Sequence, residues 1–154
     1  MKTLEQWFDD YAVSHRNPVN KKIHYICVPA IFFSIVGLLM SIPAGLPERI
    51  WPGENRFIEN WAVIALIPVL IFYIRLSWTM ALKILLFSAC CIIINGMISA
   101  IAPLWLIAVV IFAIAWAGQF YGHSIEGEKP SFFKDLQFLL IGPAWVLHHL
   151  FKKA

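Results

Sequence analysis

Charge is what this chain lacks most. Only 14% of its 154 residues are Asp, Glu, Lys or Arg, while 60% are hydrophobic. A typical soluble domain carries about 25% charged residues, so the deficit argues against an ordinary soluble globule. The charges are also bunched. None occurs from Ile23 to Pro47, from Asn60 to Ile74, from Ile84 to Ile125, or from Leu136 to Phe151. Cysteine is scarce too. Cys27, Cys90 and Cys91 all lie inside apolar runs. An odd count without a CxxC spacing argues against a disulfide framework and a zinc knuckle, which leaves them as buried packing residues. An apolar leader is missing: the opening MKTLEQWFDDY has acids where one would begin. Also absent are GxGxxG, Walker A, GxSxG and HExxH. The HxxxH and HxxHH boxes of di-iron membrane desaturases are missing as well. The net charge of +3 is small, and the cations flank apolar runs. That placement fits anionic lipid heads and not nucleic acid.

What the chain does have is long apolar runs. A spanning helix needs about 20 mostly apolar residues. The pattern therefore predicts an all-α integral membrane protein, one domain over residues 1–154, with four transmembrane helices at about 23–42, 60–75, 84–101 and 104–121. Pro43, Gly45 and Pro47 close the first, Pro68 kinks the second, and Ala102-Pro103 divides the longest run. The segment from Arg75 to Lys83 reads as a turn at the membrane face. Trp51 and Trp61 read as interfacial anchors. Ahead of the spans, Leu4, Trp7, Phe8, Tyr11 and Ala12 recur at helical spacing. They predict an amphipathic N-terminal helix over 3–15 that lies on the membrane surface. Asn17-Pro18 ends it, with Pro18 in the first turn of the next helix and Asn17 as its cap. The final run, 136–151, is broken by Gly142-Pro143 and reads as a re-entrant or interfacial helical segment. Arg16, Lys21, Lys22, Arg75, Lys83, Lys129 and Lys134 then all fall on one side. The positive-inside rule makes that side, with both termini, cytoplasmic. The membrane would be the inner membrane of a bacterium or the endoplasmic-reticulum membrane of a eukaryote.

His15, His24 and His123 fall on the same cytoplasmic edge. Nine residues apart on one straight helix, His15 and His24 would face opposite ways, but the break at Asn17-Pro18 lets them converge. Gln119, His123 and Glu126 share a face at the end of the last span, with Gly118 and Gly122 open to a neighbouring backbone. Ionisable groups at a membrane edge are costly, so a cluster of them points to function. A lone interfacial histidine is more often simply hydrated. Three ending two spans point to a shared metal, and imidazole suits iron, zinc or copper. Glu126 reads as a ligand, as a partner of a ligand histidine, or as a solvated charge. His148 and His149 read as interfacial residues or as the source of a fourth ligand. A haem held by two histidines also remains open.

The same residues carry a resemblance. Tyr11, His15-Arg16-Asn17-Pro18, Asn20-Lys21, His24-Tyr25 and Pro29 form the pattern YxxxHRNPxNKxxHYxxxP. Trp116, Gln119-Phe120-Tyr121-Gly122-His123, Glu126-Gly127, Lys129-Pro130, Ile141-Gly142-Pro143 and Trp145 form a later one. Together they resemble the family of the yeast endoplasmic-reticulum 2-hydroxy fatty acid dioxygenase, which has many bacterial members. The resemblance implies an Fe(2+)-dependent enzyme of fatty acid α-oxidation. It would convert a long-chain 2-hydroxy fatty acid and O2 to a fatty acid one carbon shorter. It implies His15, His24 and His123 as iron ligands; beside them Tyr25 and Glu126 read, from their positions, as catalytic groups. Arg16, Asn17, Asn20, Lys21 and Gln119 would contact the substrate, with Lys22 also drawing in its carboxylate. Tyr11, Tyr25 and Tyr121 are near enough in sequence to hydrogen-bond oxygen species. A 2-hydroxy carboxylate can chelate iron through both oxygens and leave a position for O2. Two other readings stand beside this one: a lipid-binding scaffold whose His/Asn/Lys cluster holds phospholipid heads, and a zinc hydrolase using the same histidines. Membrane lipids are partners on every reading, and homo-oligomerisation is left open.

Overall fold

The break between the first two helices shows most directly how local chemistry shapes this fold. In the structure, a computed structural model, residues 2–13, 15–43, 45, 55–127 and 140–149 are described. Helix α1 is Leu4–Val13. Thr3 and Gln6 close a reciprocal capping box at its start: Thr3 N–H donates to Gln6 Oε1 at 2.9 Å, and Gln6 N–H to Thr3 Oγ1 at 3.3 Å. Helix α2, Pro18–Met40, begins on the expected proline. Asn17 Oδ1 accepts from the Val19 N–H at 2.8 Å, as an N-cap does. The cap starts the helix five residues before the apolar run itself begins at Ile23.

The remaining helices are α3, Trp61–Leu76; α4, Trp78–Ser99; α5, Leu104–Glu126; and α6 over 140–149. All the secondary structure among the described residues is helical. Among the described residues, three helices, α2, α4 and α5, are long and apolar enough to cross a membrane. The expected span over 60–75 is present as α3, but its 16 residues put it among the shorter apolar helices, so three long spans stand where four were expected. Helix α3 covers about 24 Å at the helical rise. The reason is Ser77. Its extended backbone ends α3, where its N–H donates to Tyr73 O, and its side chain accepts from Met80 N–H to start α4. The expected turn from Arg75 to Lys83 is thus a one-residue break, and Lys83 lies within α4. Nothing in Met80-Ala81-Leu82 stops a helix. Helix α5 likewise runs past residue 121, to Gly127, whose φ of 77° ends it in the left-handed conformation that glycine accepts.

The chain forms two compact units, one of Met1–Phe32 with Ala113–Ala154, the other of Phe33–Phe112. The 33–112 unit is organised around α3 and α4, which pack along one another. Its interior includes Tyr73, Ile84, Ser88 and Asn95. Asn95 Nδ2 donates to Cys91 O at 2.9 Å and Phe33 O at 3.2 Å, and its Oδ1 lies over the bare Cα of Gly37. Large apolar side chains such as Leu86, Ile93 and Ile101 face outward here, as they do in helices solvated by lipid. Of the cysteines, Cys91 is buried but its neighbour Cys90 is exposed, and Cys27 is half-buried. Adjacent residues on one helix cannot both face inward. Trp61 donates its indole N–H to Pro43 O at 3.0 Å. Trp51 lies outside the described residues.

The other unit holds α1, the start of α2, the end of α5, and α6. Residues 141–147 of α6 are all buried, so this helix is enclosed on every side. The expected segment 136–151 is helical wherever it is described, and residues 136–139, 150 and 151 lie outside the described set, as do Lys129 and Lys134.

Candidate metal centre

His15 follows α1 at the chain break, His24 sits in the second turn of α2, and His123 in the last turn of α5. The structure brings all three together. Ring centroids lie 4.2 Å apart for His15 and His24, 5.1 Å for His24 and His123, and 5.5 Å for His15 and His123. One nitrogen from each falls within 4.8 Å of the other two. All three are buried, at 2%, 1% and 8% exposure.

Their hydrogen bonds fix which nitrogen is offered. His15 Nδ1 lies 2.6 Å from Tyr11 O, and His24 Nδ1 lies 3.0 Å from Asn20 O. A carbonyl only accepts, so Nδ1 carries the proton in both rings and Nε2 keeps its lone pair. Backbone carbonyls orient metal-binding imidazoles in this way. Burial is the main reason the His15 imidazole is pushed down to about 4; the Tyr11 carbonyl opposes it in part, and the nearby His123 adds to it. His15 is therefore neutral at physiological pH, the form that binds a cation. The donor set fits a borderline divalent metal with open positions.

Three features hold the histidines in register. The first is close approach. Gly118 and Gly122 are four apart on α5, the small-xxx-small pattern that lets helices touch. Cys27 Sγ would lie 2.6 Å from a Cβ at Gly118, and Asn20 Oδ1 occupies the space a methyl would take at Gly122. The second is Asn20, which is fully buried. Its backbone oxygen holds His24 and its Nδ2 donates to Glu126 Oε2 at 2.9 Å. The third is Glu126 itself. Its carboxylate accepts from Arg16 N–H at 2.7 Å and from Asn17 N–H at 3.0 and 3.1 Å. These are the donors that a helix start leaves unpaired. Glu126 is thus a cap lent by α5 to the start of α2. It is not in the three-histidine group, and it bonds to the segment that carries two of the rings.

The other expected site residues divide. Gln119 is buried, one turn before His123 on α5. Arg16 and Lys22 are exposed, and Asn17 and Lys21 half-buried, at the chain break and the first turn of α2. Tyr25 does not join the histidines. Adjacent helical side chains point about 100° apart, and Tyr25 instead stacks on Trp145 at 5.6 Å. Tyr121 is 63% exposed. His148 lies against Phe8 at 5.1 Å, and His149 Nδ1 donates to Trp145 O at 2.9 Å; neither joins the cluster of three. The residue that reasoning from spacing missed is Trp145. It is buried 6.0 Å from His15, beside Tyr11, which stacks flat on His15 at 4.1 Å. Its only signal in the sequence is its place in the late motif.

No curated protein and no solved structure matches the chain. A family model does, over residues 1–154, and its description is Mpo1-like: 2-hydroxy-palmitic acid dioxygenase Mpo1-like. With both halves of the histidine cage inside that match, the chain belongs to the Mpo1-like family, one named for a dioxygenase.

Proposed function

We propose that the protein is an Fe(II)-dependent dioxygenase of fatty acid α-oxidation, taking a long-chain 2-hydroxy fatty acid and O2 to a fatty acid one carbon shorter. The observation that carries the reading is the buried cage of three imidazoles, two with Nδ1 tied to a carbonyl, in a chain of a dioxygenase family. His15, His24 and His123 would hold the iron. When bound, the cation supplies Lewis acidity and a site for activating oxygen.

The chain's own groups do the rest. Arg16 and Lys21, at the chain break and in the first turn of α2, would attract the substrate carboxylate. Buried Gln119 offers a neutral amide beside His123. Asn17 and Asn20 are committed to the cap and to Glu126, so their part is to position His24 and not to touch substrate. Glu126 has the same part. Tyr25, stacked on Trp145, acts from outside the three-histidine group. The burial of the histidines excludes water and prevents side reactions. The acyl tail lies among the helices, in an apolar slot continuous with lipid. The cage and both termini face the cytoplasm.

Elemental analysis of protein purified without a polyhistidine tag tests this directly. Stoichiometric iron is expected, with O2 uptake stimulated by 2-hydroxypalmitate. Both should be lost in His24→Ala and His123→Ala. Zinc in the same cage would favour a hydrolase. Folded, metal-free protein whose histidine variants change only lipid retention would favour a lipid-binding scaffold.

A further inference from the structure

A row of readily oxidised side chains leads outward from the cage. Tyr11 stacks on His15 with centroids 4.1 Å apart and planes within 6°. Trp145 lies 5.2 Å from Tyr11. Tyr25 stacks on Trp145 at 5.6 Å, with planes 19° apart. Tyr11 and Trp145 are buried, at 3% and 2% exposure, and Tyr25 is half-buried. The row thus begins in contact with a ligand ring and ends where solvent reaches.

Packing alone does not account for the choice of side chains. The chain has 12 Phe and only 4 Tyr, yet two of those tyrosines occupy this row and no phenylalanine does. Phenol and indole are the side chains that most easily give up one electron, and phenylalanine does not. An oxygenase that consumes O2 without substrate is left with oxidising power beside its own ligands. Here the ligand ring in contact with the row is His15.

We propose that Tyr11, Trp145 and Tyr25 carry such an oxidising equivalent from the cage to the surface, and so protect the histidines. The proposal rests on the oxygenase reading above. One electron leaves the Trp145 indole for the cage, bridged by Tyr11, and an indole radical cation remains. The Tyr25 phenol replaces that electron and gives its proton to water at the half-buried edge. A thiol of the aqueous phase then returns a hydrogen atom to the tyrosyl oxygen, and thiyl radicals pair as disulfide. One thiol hydrogen is consumed per equivalent removed, and no fatty acid is used.

The test exposes iron-loaded protein to O2 without fatty acid or thiol. Oxidised residues are then mapped by peptide mass spectrometry, and radicals are trapped by freezing for electron paramagnetic resonance. In the wild type, marks should gather at Tyr25 and Trp145, with a tyrosyl signal that narrows on ring deuteration. Trp145→Phe should lose the Tyr25 marks, raise oxidation of His15 and Tyr11 several-fold, and shed iron faster. Trp105→Phe, at an exposed position on α5, should match the wild type. Tyr25→Phe changes a half-buried ring, and carries the same test if Trp145→Phe loads no iron: its marks should stop at Trp145. If iron and O2 uptake are intact but neither variant's map differs from that of the wild type, the row is refuted alone. Wild type that takes up no iron or no O2 refutes both the row and the oxygenase reading.

Discussion

Glu126 commits its carboxylate to groups more than a hundred residues upstream. Hydrogen bonds to a charged acceptor are the stronger kind, and here they join the segment carrying His15 and His24 to the helix carrying His123. Glu126→Gln keeps the shape but turns an NH2 group towards backbone donors. Metal affinity should fall about tenfold, the lower end for a lost supporting contact around a ligand, as read by cobalt titration of metal-free protein. An unchanged affinity would mean that the cage assembles without the cap. His15 makes a second prediction at this scale. Its imidazole sits at about 4 in the fold against 6.5 when unburied. Between those values the unfolded chain binds the extra proton, so folding stability is complete above pH 6.5 and falls as pH drops towards 4. His15's share is about 3 kcal/mol over that window. Urea unfolding of metal-free protein in detergent at pH 7 and 4.5 should show that loss reduced in His15→Phe. An equal loss in both proteins contradicts the assignment.

Helices α2 and α5 meet through two glycines, and the two do not bear equally on the site. Asn20, over Gly122, is fully buried and held by Glu126, so it cannot move aside. Cys27, over Gly118, is half-buried, and the atom in the way is the end of its side chain, which one χ1 rotation would carry aside. Gly122→Ala should therefore cost about 1–3 kcal/mol, as overpacking does, and lower the metal content as well. Gly118→Ala should cost less, keep the metal, and recover on adding Cys27→Ala. Gly45→Ala, with open space around it, is the neutral control. Thermal unfolding with metal analysis separates these outcomes, and equal effects at both glycines would refute the argument. The helices themselves were legible where punctuation is strong: Asn17-Pro18 and Ala102-Pro103 each mark an observed break. Ser77 was not legible, because one serine in an apolar stretch carries no signal until its backbone is seen to be extended. The face that Glu126 shares with His123 was legible but its part as a cap was not, since its main partners are backbone N–H groups that look alike in any sequence.

At the scale of the whole molecule, what composition conveyed was solvent. Scarce charge and outward-facing Ile, Leu and Trp are compatible with lipid surroundings, and three of the described helices have the length to cross. Composition does not say which leaflet holds the cage. That rests on lysine and arginine placement, and it decides which compartment the cage faces. Val13 and Ser124 are exposed, two residues before His15 and one after His123. In a background with Cys27, Cys90 and Cys91 changed to alanine, cysteine placed at either position should react with a membrane-impermeant maleimide only when the cytoplasmic face is open. In intact cells both should stay unlabelled, and inverted vesicles should label both. Labelling of both from outside would invert the orientation and move the chemistry to the other compartment. Labelling of one from each side would separate His15 from His123 across the bilayer, and no single cation could then be shared.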